Sequence, residues 1–282
     1  MKKSFGEQLK KSLKDGKIMP FIGIYDVFSA SVAAKHYYAL FVSGFSFAAS
    51  HYGLPDIGFI AWPDIIAFVQ RIRTVLPDHH LLVDIDDGYC DIETACHVVS
   101  MLESVGASGV VLEDQQRPRR CGHFEGKRIM PLEEFLPKLA RVLETRRNMF
   151  VIARTDAPEP EEALRRVKAF AQAGADAVLA DGIKDLELLK TMKSEVTCPV
   201  GFNQIAGGKS PSCTLTQLKA MGASMVIYST PCLFAAQSAL EDAMTSLKEK
   251  DGLLSPDSKT GRVSLKGCTA ILTDNVLRRD QR

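Results

Sequence analysis

The chain has 282 residues, 46% hydrophobic and 24% charged, and its 35 Lys and Arg against 34 Asp and Glu leave a formal net charge of +1. That balance excludes the charge footprint of a nucleic-acid or membrane-surface binder and leaves ample apolar material for a core. Seven irregularly spaced cysteines without a CxxC pair argue against a disulfide framework or a zinc site and point to a reducing, cytoplasmic setting.

In chain order, the first segment is basic, with Lys2, Lys3, Lys10, Lys11, Lys14 and Lys17 interrupted by Glu7 and Asp15. No apolar h-region follows, so it is not a secretory signal; the expectation is an amphipathic helix across one end of the fold. Short runs rich in Val, Ile and Leu then recur at 18–24, 39–44, 81–86, 109–114, 149–156, 177–181, 199–203 and 225–229. Apolarity without alternation indicates strands covered on both faces, as in a parallel sheet. Between them lie amphipathic stretches such as 63–76, 92–105, 131–146 and 159–173. Eight strand–helix units predict an α/β fold, a (β/α)8 TIM barrel, whose usual size is about 250 residues. We assign 1–250 to the barrel and 251–282 to a C-terminal tail. No run reaches the roughly 18 apolar residues that cross a bilayer.

A barrel gathers the C-terminal ends of its strands onto one face, where active sites are built. Those ends carry Ser43, Asp84 with Asp86, Glu113 with Asp114, Arg154 with Asp156, Asp181, Asn203 and Ser229. Strand ends are polar wherever they meet solvent, but that alone does not account for so consistent a set of carboxylates, Arg and amide. The loop after Glu113-Asp114 is basic and carries a lone thiol in Arg119-Arg120-Cys121-Gly122-His123. The flanking cations and His123 favour thiolate over thiol; the alternative is a solvated loop with a structural Cys. Asp84 and Asp86, two apart on a strand, point to one face and can address one hard cation such as Mg2+. Asp86-Asp87-Gly88 also reads as an Asx turn ending the strand. Arg154 can grip a carboxylate or steady an oxyanion, or can pair with Asp156 or Glu113. Backbone N–H groups at Ser43, Gly44 and Phe45 suit a substrate carboxylate, and Asn203 and Ser229 add neutral hydrogen bonds. Gly207-Gly208-Lys209-Ser210 lacks the first Gly of a P-loop, since Asn203 stands there; it reads as a loop near the site with Lys209 facing the anion. Cys90, Cys96 and Cys198 read as small core residues.

The ordered motifs Ser43-Gly44, 53–58 (Gly-Leu-Pro-Asp-Ile-Gly), 84–89 (Asp-Ile-Asp-Asp-Gly-Tyr), Glu113-Asp114-Gln115, Arg120-Cys121-Gly122-His123 with Gly126-Lys127, and 152–157 (Ile-Ala-Arg-Thr-Asp-Ala) resemble the isocitrate lyase/phosphoenolpyruvate mutase superfamily. Within it the chain looks like the methylisocitrate-lyase-like branch, over roughly residues 5 to 245. The resemblance implies a (β/α)8 barrel whose last helix is commonly exchanged between subunits of a homo-oligomer, a dimer or tetramer. It implies Mg2+, with Mn2+ as substitute, bound directly by Asp84 and through water by Asp56, Asp86 and Glu113. Cys121 with His123 then marks the carbon–carbon lyases, the thiol protonating the departing carbanion, with Arg154 and Asp181 as further catalytic groups. The implied reaction splits a small anionic 2-hydroxy di- or tricarboxylate into a 2-oxo acid and a second carboxylate.

Departures leave other chemistries of the same site open. Asp181 stands where methylisocitrate-type lyases usually have Glu, Phe41 replaces a common Tyr, and 228–232 and 252–282 match poorly. The competitors are a phosphonomutase forming a P–C bond, an oxaloacetate hydrolase or decarboxylase, and a ligand-binding relative without turnover.

Overall fold

Each of the eight apolar runs becomes a strand, and the strands close into a parallel barrel in sequence order in this computed structural model, which describes residues 4–254 and 263–280. They are β1 (Met19–Ile24), β2 (Ala39–Val42), β3 (His80–Asp84), β4 (Gly109–Glu113), β5 (Phe150–Thr155), β6 (Ala177–Ala180), β7 (Val200–Asn203) and β8 (Met225–Tyr228). The seam is made by β8 returning to β1, with Met19 opposite Met225 and Ile22 opposite Tyr228. The (β/α)8 architecture expected from periodicity is the one observed.

Helices separate the strands: α1 (Phe5–Leu13), α2 (Val27–Ala33), α3 (Gly44–Phe47) running into a π-turn (Ala48–Tyr52), α4 (Trp62–Val75), α5 (Ile92–Ser104), α6 (Leu132–Thr145) and α7 (Pro160–Gln172). The series ends with α8 (Leu186–Glu195), α9 (Leu215–Ala220), α10 (Pro231–Glu249) and α11 (Leu265–Asp280). Local chemistry sets many of the starts: Asp26, Asp91, Asp185 and Thr214 each accept from a first-turn N–H of the helix that follows.

The core has two layers. Outward-facing strand residues such as Ile24, Val83, Val110 and Val151 pack against the helices. Inward-facing Phe21, Phe41, Leu82, Val111, Ile152, Leu179, Met225 and Ile227 fill the barrel. The basic first segment caps this inner layer, burying Leu9 and Leu13 of α1 against it while Lys10 turns outward to Asp176 at 2.8 Å. Gly6 permits the close approach, because a Cβ there would collide with the Asn148 carbonyl.

The last two helices behave differently. α10 has no buried residue; its Leu240 and Met244 are 62% and 58% exposed. α11 lies against α2 and α4 of its own chain, where Asn275 Nδ2 donates to Ser31 Oγ at 2.9 Å. Residues 255–262 of the expected tail fall outside the described residues. Cys90 is exposed rather than buried, at the start of α5 with Sγ 3.0 Å from Thr94 Oγ1, whereas Cys96 is buried and Cys198 half-buried.

Candidate active site

Barrel closure brings the strand-end residues onto one face and joins them in a continuous polar chain. Ser229 Oγ, just past β8, donates to Asn203 Oδ1 at the end of β7 (2.9 Å). Asn203 Nδ2 donates to Asp181 Oδ1 just past β6 (2.9 Å), and Asp181 Oδ2 pairs with Arg154 Nη2 on β5 (2.8 Å). Arg154 Nη2 also reaches Glu113 Oε2 on β4 (3.2 Å), and Glu113 Oε1 accepts from Arg119 Nε (2.7 Å). Arg119 Nη1 continues to Asp56 and to Asp86 Oδ1 (3.2 Å). The circuit returns across the seam, where Ser46 Oγ donates to the Ser229 carbonyl at 2.9 Å.

Alternation along β4 separates the two acids at its end. Glu113 faces this circuit, while Asp114 points to the helix layer, pairing with Arg166 Nη1 at 2.9 Å and accepting from Asp156 N. The shared-face argument for Asp84 and Asp86 does not hold as framed. β3 ends at Asp84, and Asp86 sits in the following turn with φ of 52°, its N–H bonded to Asp84 Oδ1 at 3.2 Å. The Asx turn and the site are therefore the same structure. Both carboxylates face Gly44, where a Cβ would stand 3.0 Å from Asp84 Oδ2 and 3.5 Å from Asp86 Oδ1. Ser43 spends its hydroxyl capping α3, accepting from Ser46 N at 3.2 Å, and Phe45 packs edge-on against Phe234.

Arg119 went unrecognised as a site residue. It is 1% exposed and holds Asp56, Asp86 and Glu113, whereas Arg120 is exposed and donates to the Glu125 carbonyl. Arg154 meets both structural alternatives and the functional one together, since Glu113, Asp156 and Asp181 all contact its guanidinium.

The thiol loop is folded down onto this floor. A Cβ on Gly122 would stand 2.5 Å from Arg154 Nη2 and Asp156 Oδ1 and nearer still to Asp181 Oδ2. Lys127 Nζ ties the loop shut, bonding the Gly122 carbonyl and Asp156 Oδ1 (3.1 Å). Lys209 acts from the other side. Its N–H donates to His123 Nδ1 at 2.9 Å and its Nζ meets Phe124 O and Glu125, so it pins the loop instead of facing an anion. Because His123 Nδ1 accepts, the neutral ring carries its proton on Nε2, 3.3 Å from Asp181 Oδ1.

Electrostatics reverse one expectation. Burial pushes the Cys121 thiol up to about 12; the His123 N–H and Arg154 oppose the rise, and Asp56 and Asp181 add to it. The charged side chains next to it in sequence point elsewhere: Arg119 serves the acids, Arg120 faces solvent and the His123 ring turns to Asp181. The thiol is a held proton, not a thiolate. Burial works against Asp181 too, but Arg154, His123 and Asn203 outweigh it and hold that carboxyl far below the usual range. Burial raises Asp84, and it raises Asp86 to about 7 with help from Asp56 and Asp84 and against Arg119.

The donors at this end suit a hard divalent ion. Asp86 Oδ2 is buried without a hydrogen-bond partner, and the negative charge of Asp84 and Asp86 is undercompensated. Among the described residues no group of three or more His, Cys, Asp or Glu is arranged to hold an ion by itself. Arg119 occupies an oxygen of each of Asp56, Glu113 and Asp86 with its single positive charge. A sparse, all-oxygen donor set of this kind suits a hard divalent cation that retains part of its water shell.

A family model described as phosphoenolpyruvate phosphomutase matches residues 9–248. The petal death protein of Dianthus caryophyllus is 36% identical over 239 residues, covering 83% of this chain and 74% of its own. A 2-methylisocitrate lyase of Shewanella oneidensis is 31% identical, covering 88% of this chain and 86% of its own. Among solved structures, a 2,3-dimethylmalate lyase superposes with a TM-score of 0.92 at 26% identity, covering 100% of this chain and 96% of that one. An oxaloacetate acetylhydrolase with 3,3-difluorooxalacetate gives 0.90 at 26% identity, covering 99% and 96%. With its barrel, its strand-end circuit and these likenesses, the chain belongs to the isocitrate lyase/phosphoenolpyruvate mutase superfamily, in the methylisocitrate-lyase-like branch.

Proposed function

We propose that this enzyme is a Mg2+-dependent carbon–carbon lyase acting on a small 2-hydroxy di- or tricarboxylate of the methylisocitrate or dimethylmalate kind. The observation that carries the reading is the Cys121 loop folded onto the Arg154–Asp181 pair, with Gly122 packed against both side chains and the thiol buried. A base or nucleophile role would call for a thiolate; an acid role calls for this proton.

Asp84 would hold Mg2+, with Asp56, Asp86 and Glu113 beside it. When bound, the ion supplies Lewis acidity and a template at the hydroxy-acid end of the substrate. Ser43, Gly44, Phe45, Asn203 and Ser229 receive the substrate's carboxylates, and Arg154 steadies the developing oxyanion. As a base in the site takes the hydroxyl proton, the O–H electron pair closes the new carbonyl, the adjacent carbon–carbon bond breaks and its pair passes to the departing fragment as an enediolate; the proton taken up here later restores the Cys121 thiol. Cys121 Sγ–H delivers the proton to that carbon, leaving a thiolate that is reprotonated before the next turnover. His123 holds Asp181 in place, and the closed loop keeps water from the carbanion.

The likeness to oxaloacetate acetylhydrolase, with the shorter Asp181, favours hydrolysis of a 2-oxo dicarboxylate as the second reading; phosphonomutase chemistry is the third. A panel of 2-hydroxy and 2-oxo di- and tricarboxylates, with phosphoenolpyruvate as a separate substrate, incubated with Mg2+ and read by carbon and phosphorus NMR, separates them. A 2-oxo acid plus a second carboxylate supports the lyase; oxalate with acetate, or a phosphonate signal, overturns it. Cys121→Ser should keep the fold and Mg2+ binding while losing about 10²- to 10⁴-fold in kcat, the usual worth of a positioned acid. Full activity in that variant discards the acid role. The same reading makes the protein a cytoplasmic homo-oligomer, a dimer or tetramer, with the apolar flank of α10 covered by a neighbouring copy. Sedimentation as a monomer at micromolar concentration refutes that part.

A further inference from the structure

We propose that Arg117 and Asp87 form a clasp that positions the thiol loop and the two acid-bearing loops against one another, making both of them positioning residues for the lyase reaction proposed above. Arg117 grips the Asp87 carboxylate with a two-pronged fork, Nε to Oδ2 at 2.9 Å and Nη2 to Oδ1 at 2.7 Å. The same guanidinium donates to the Tyr89 carbonyl and, through Nη1, to the Gly58 carbonyl, both at 3.2 Å. Gly58 lies two residues after Asp56, Asp87 directly follows Asp86, and Arg117 lies two residues before Arg119 and four before Cys121. One side chain thus ties together the loops after β2, β3 and β4. These loops carry Asp56, Asp86 and the Arg119–Cys121 pair.

The loop it grips needs holding. Asp86 and Tyr89 both adopt left-handed backbone, φ of 52° and 73°, which side chains other than Gly rarely take. Such conformations persist only where the surroundings over-determine them. Here Asp87 Oδ1 accepts from Tyr89 N at 3.2 Å, Lys138 Nζ donates to the Asp87 carbonyl at 2.9 Å, and Arg117 closes the turn from above. The left-handed turn aims Asp86 at Gly44 and Arg119. Gly58, at φ of 89°, brings its carbonyl up to the guanidinium, where a Cβ would stand 3.0 Å from Arg117 Nη1. A lysine has the charge but not the planar fork, and cannot reach three loops at once.

Exposure separates positioning from bulk stability. The Arg117 side chain is 37% exposed, so the pair adds little to global stability, while the geometry it sets is that of buried catalytic groups. The test uses the full chain and the variants Arg117→Met, Asp87→Asn, their double and Arg117→Lys. Iodoacetamide labelling of Cys121, resolved by peptide mass spectrometry, reports opening of the thiol loop without any substrate. Each single variant is expected to raise the labelling rate about tenfold or more and to lower kcat by ~10- to 100-fold with a smaller change in KM, the scale of an ångström's misplacement. The double should match the singles, Arg117→Lys should resemble Arg117→Met, and melting temperature should move little. Wild-type labelling in Arg117→Met, effects that multiply in the double, or full rescue by Lys each overturn the clasp. The lyase reading fails separately: if the wild type turns over nothing while labelling still depends on the clasp, only that reading is lost.

Discussion

Replacing Gly122 by Ala tests the closed thiol loop most directly. The added methyl would sit 2.5 Å from Arg154 Nη2 and Asp156 Oδ1 and closer to Asp181 Oδ2. None of these atoms can retreat: each belongs to the buried ion-pair cluster, and Asp181 is further held by His123 and Asn203. The loop must move instead, by at least about 0.9 Å to bring even the 2.5 Å approaches out to an ordinary 3.4 Å contact. Cys121 is the adjacent residue and shifts with it. A misplacement near 1 Å costs about 100-fold in a positioned step, or roughly 2.7 kcal/mol. The expected outcome is a kcat lower by about two orders of magnitude, faster alkylation of Cys121, and a cooperative melt close to wild type because the barrel core is untouched. Steady-state kinetics, alkylation and calorimetry on one preparation decide it. A Gly122→Ala enzyme with wild-type kcat and a protected thiol would refute the closed-loop geometry and the acid role built on it.

Three further outcomes follow from the same geometry. Exhaustive chelation should abolish turnover and added Mg2+ restore it, while Asp84→Ala should abolish both activity and calorimetric Mg2+ binding; retained binding in that variant removes Asp84 as the direct ligand. Asp181→Asn leaves Arg154 short of a buried counter-charge and should destabilise the fold by about 3 kcal/mol or more in urea titrations, with no effect if the pair is dispensable. For pH, the closed state holds the Cys121 proton to about 12, whereas an opened or unfolded thiol releases it near its ordinary 9.0. The sign is therefore fixed: this contribution is fully present below pH 9 and is lost as pH rises toward 12. It amounts to at most about 4 kcal/mol. Cys121 alkylation should climb about tenfold per unit from pH 7 to 9; a plateau near neutrality would mean a thiolate.

The strands were legible because runs such as 109–114 and 177–181 are apolar without alternation, which only a sheet covered on both faces demands. Their polar ends then placed Asp84, Glu113, Arg154, Asp181, Asn203 and Ser229 on one face through topology alone. Loops resisted for the opposite reason. Arg119 and Arg120 are chemically identical neighbours, and only the path of the loop decides that one is buried among acids and the other faces water. The thiol's ionisation was misjudged because proximity in sequence stood in for proximity in space. Lys209 was expected to face a substrate anion, whereas its Nζ meets the Glu125 carboxylate and the Phe124 carbonyl of the thiol loop. Cys90 was assigned to the interior on composition, although it opens a helix at the surface.

The seam between β1 and β8 carries a consequence for biosynthesis. Leu9, Leu13 and Phe21 emerge early from the ribosome, yet Met225 and Ile227 of the same inner cluster are among the last barrel residues made. The inner layer and the bond from Ser46 to Ser229 therefore cannot be completed before β8 has been made, and a nascent chain must shelter an unfinished greasy interior until then. Premature termination anywhere before residue 229 leaves the barrel open at β1 and should yield inactive chains in a truncation series.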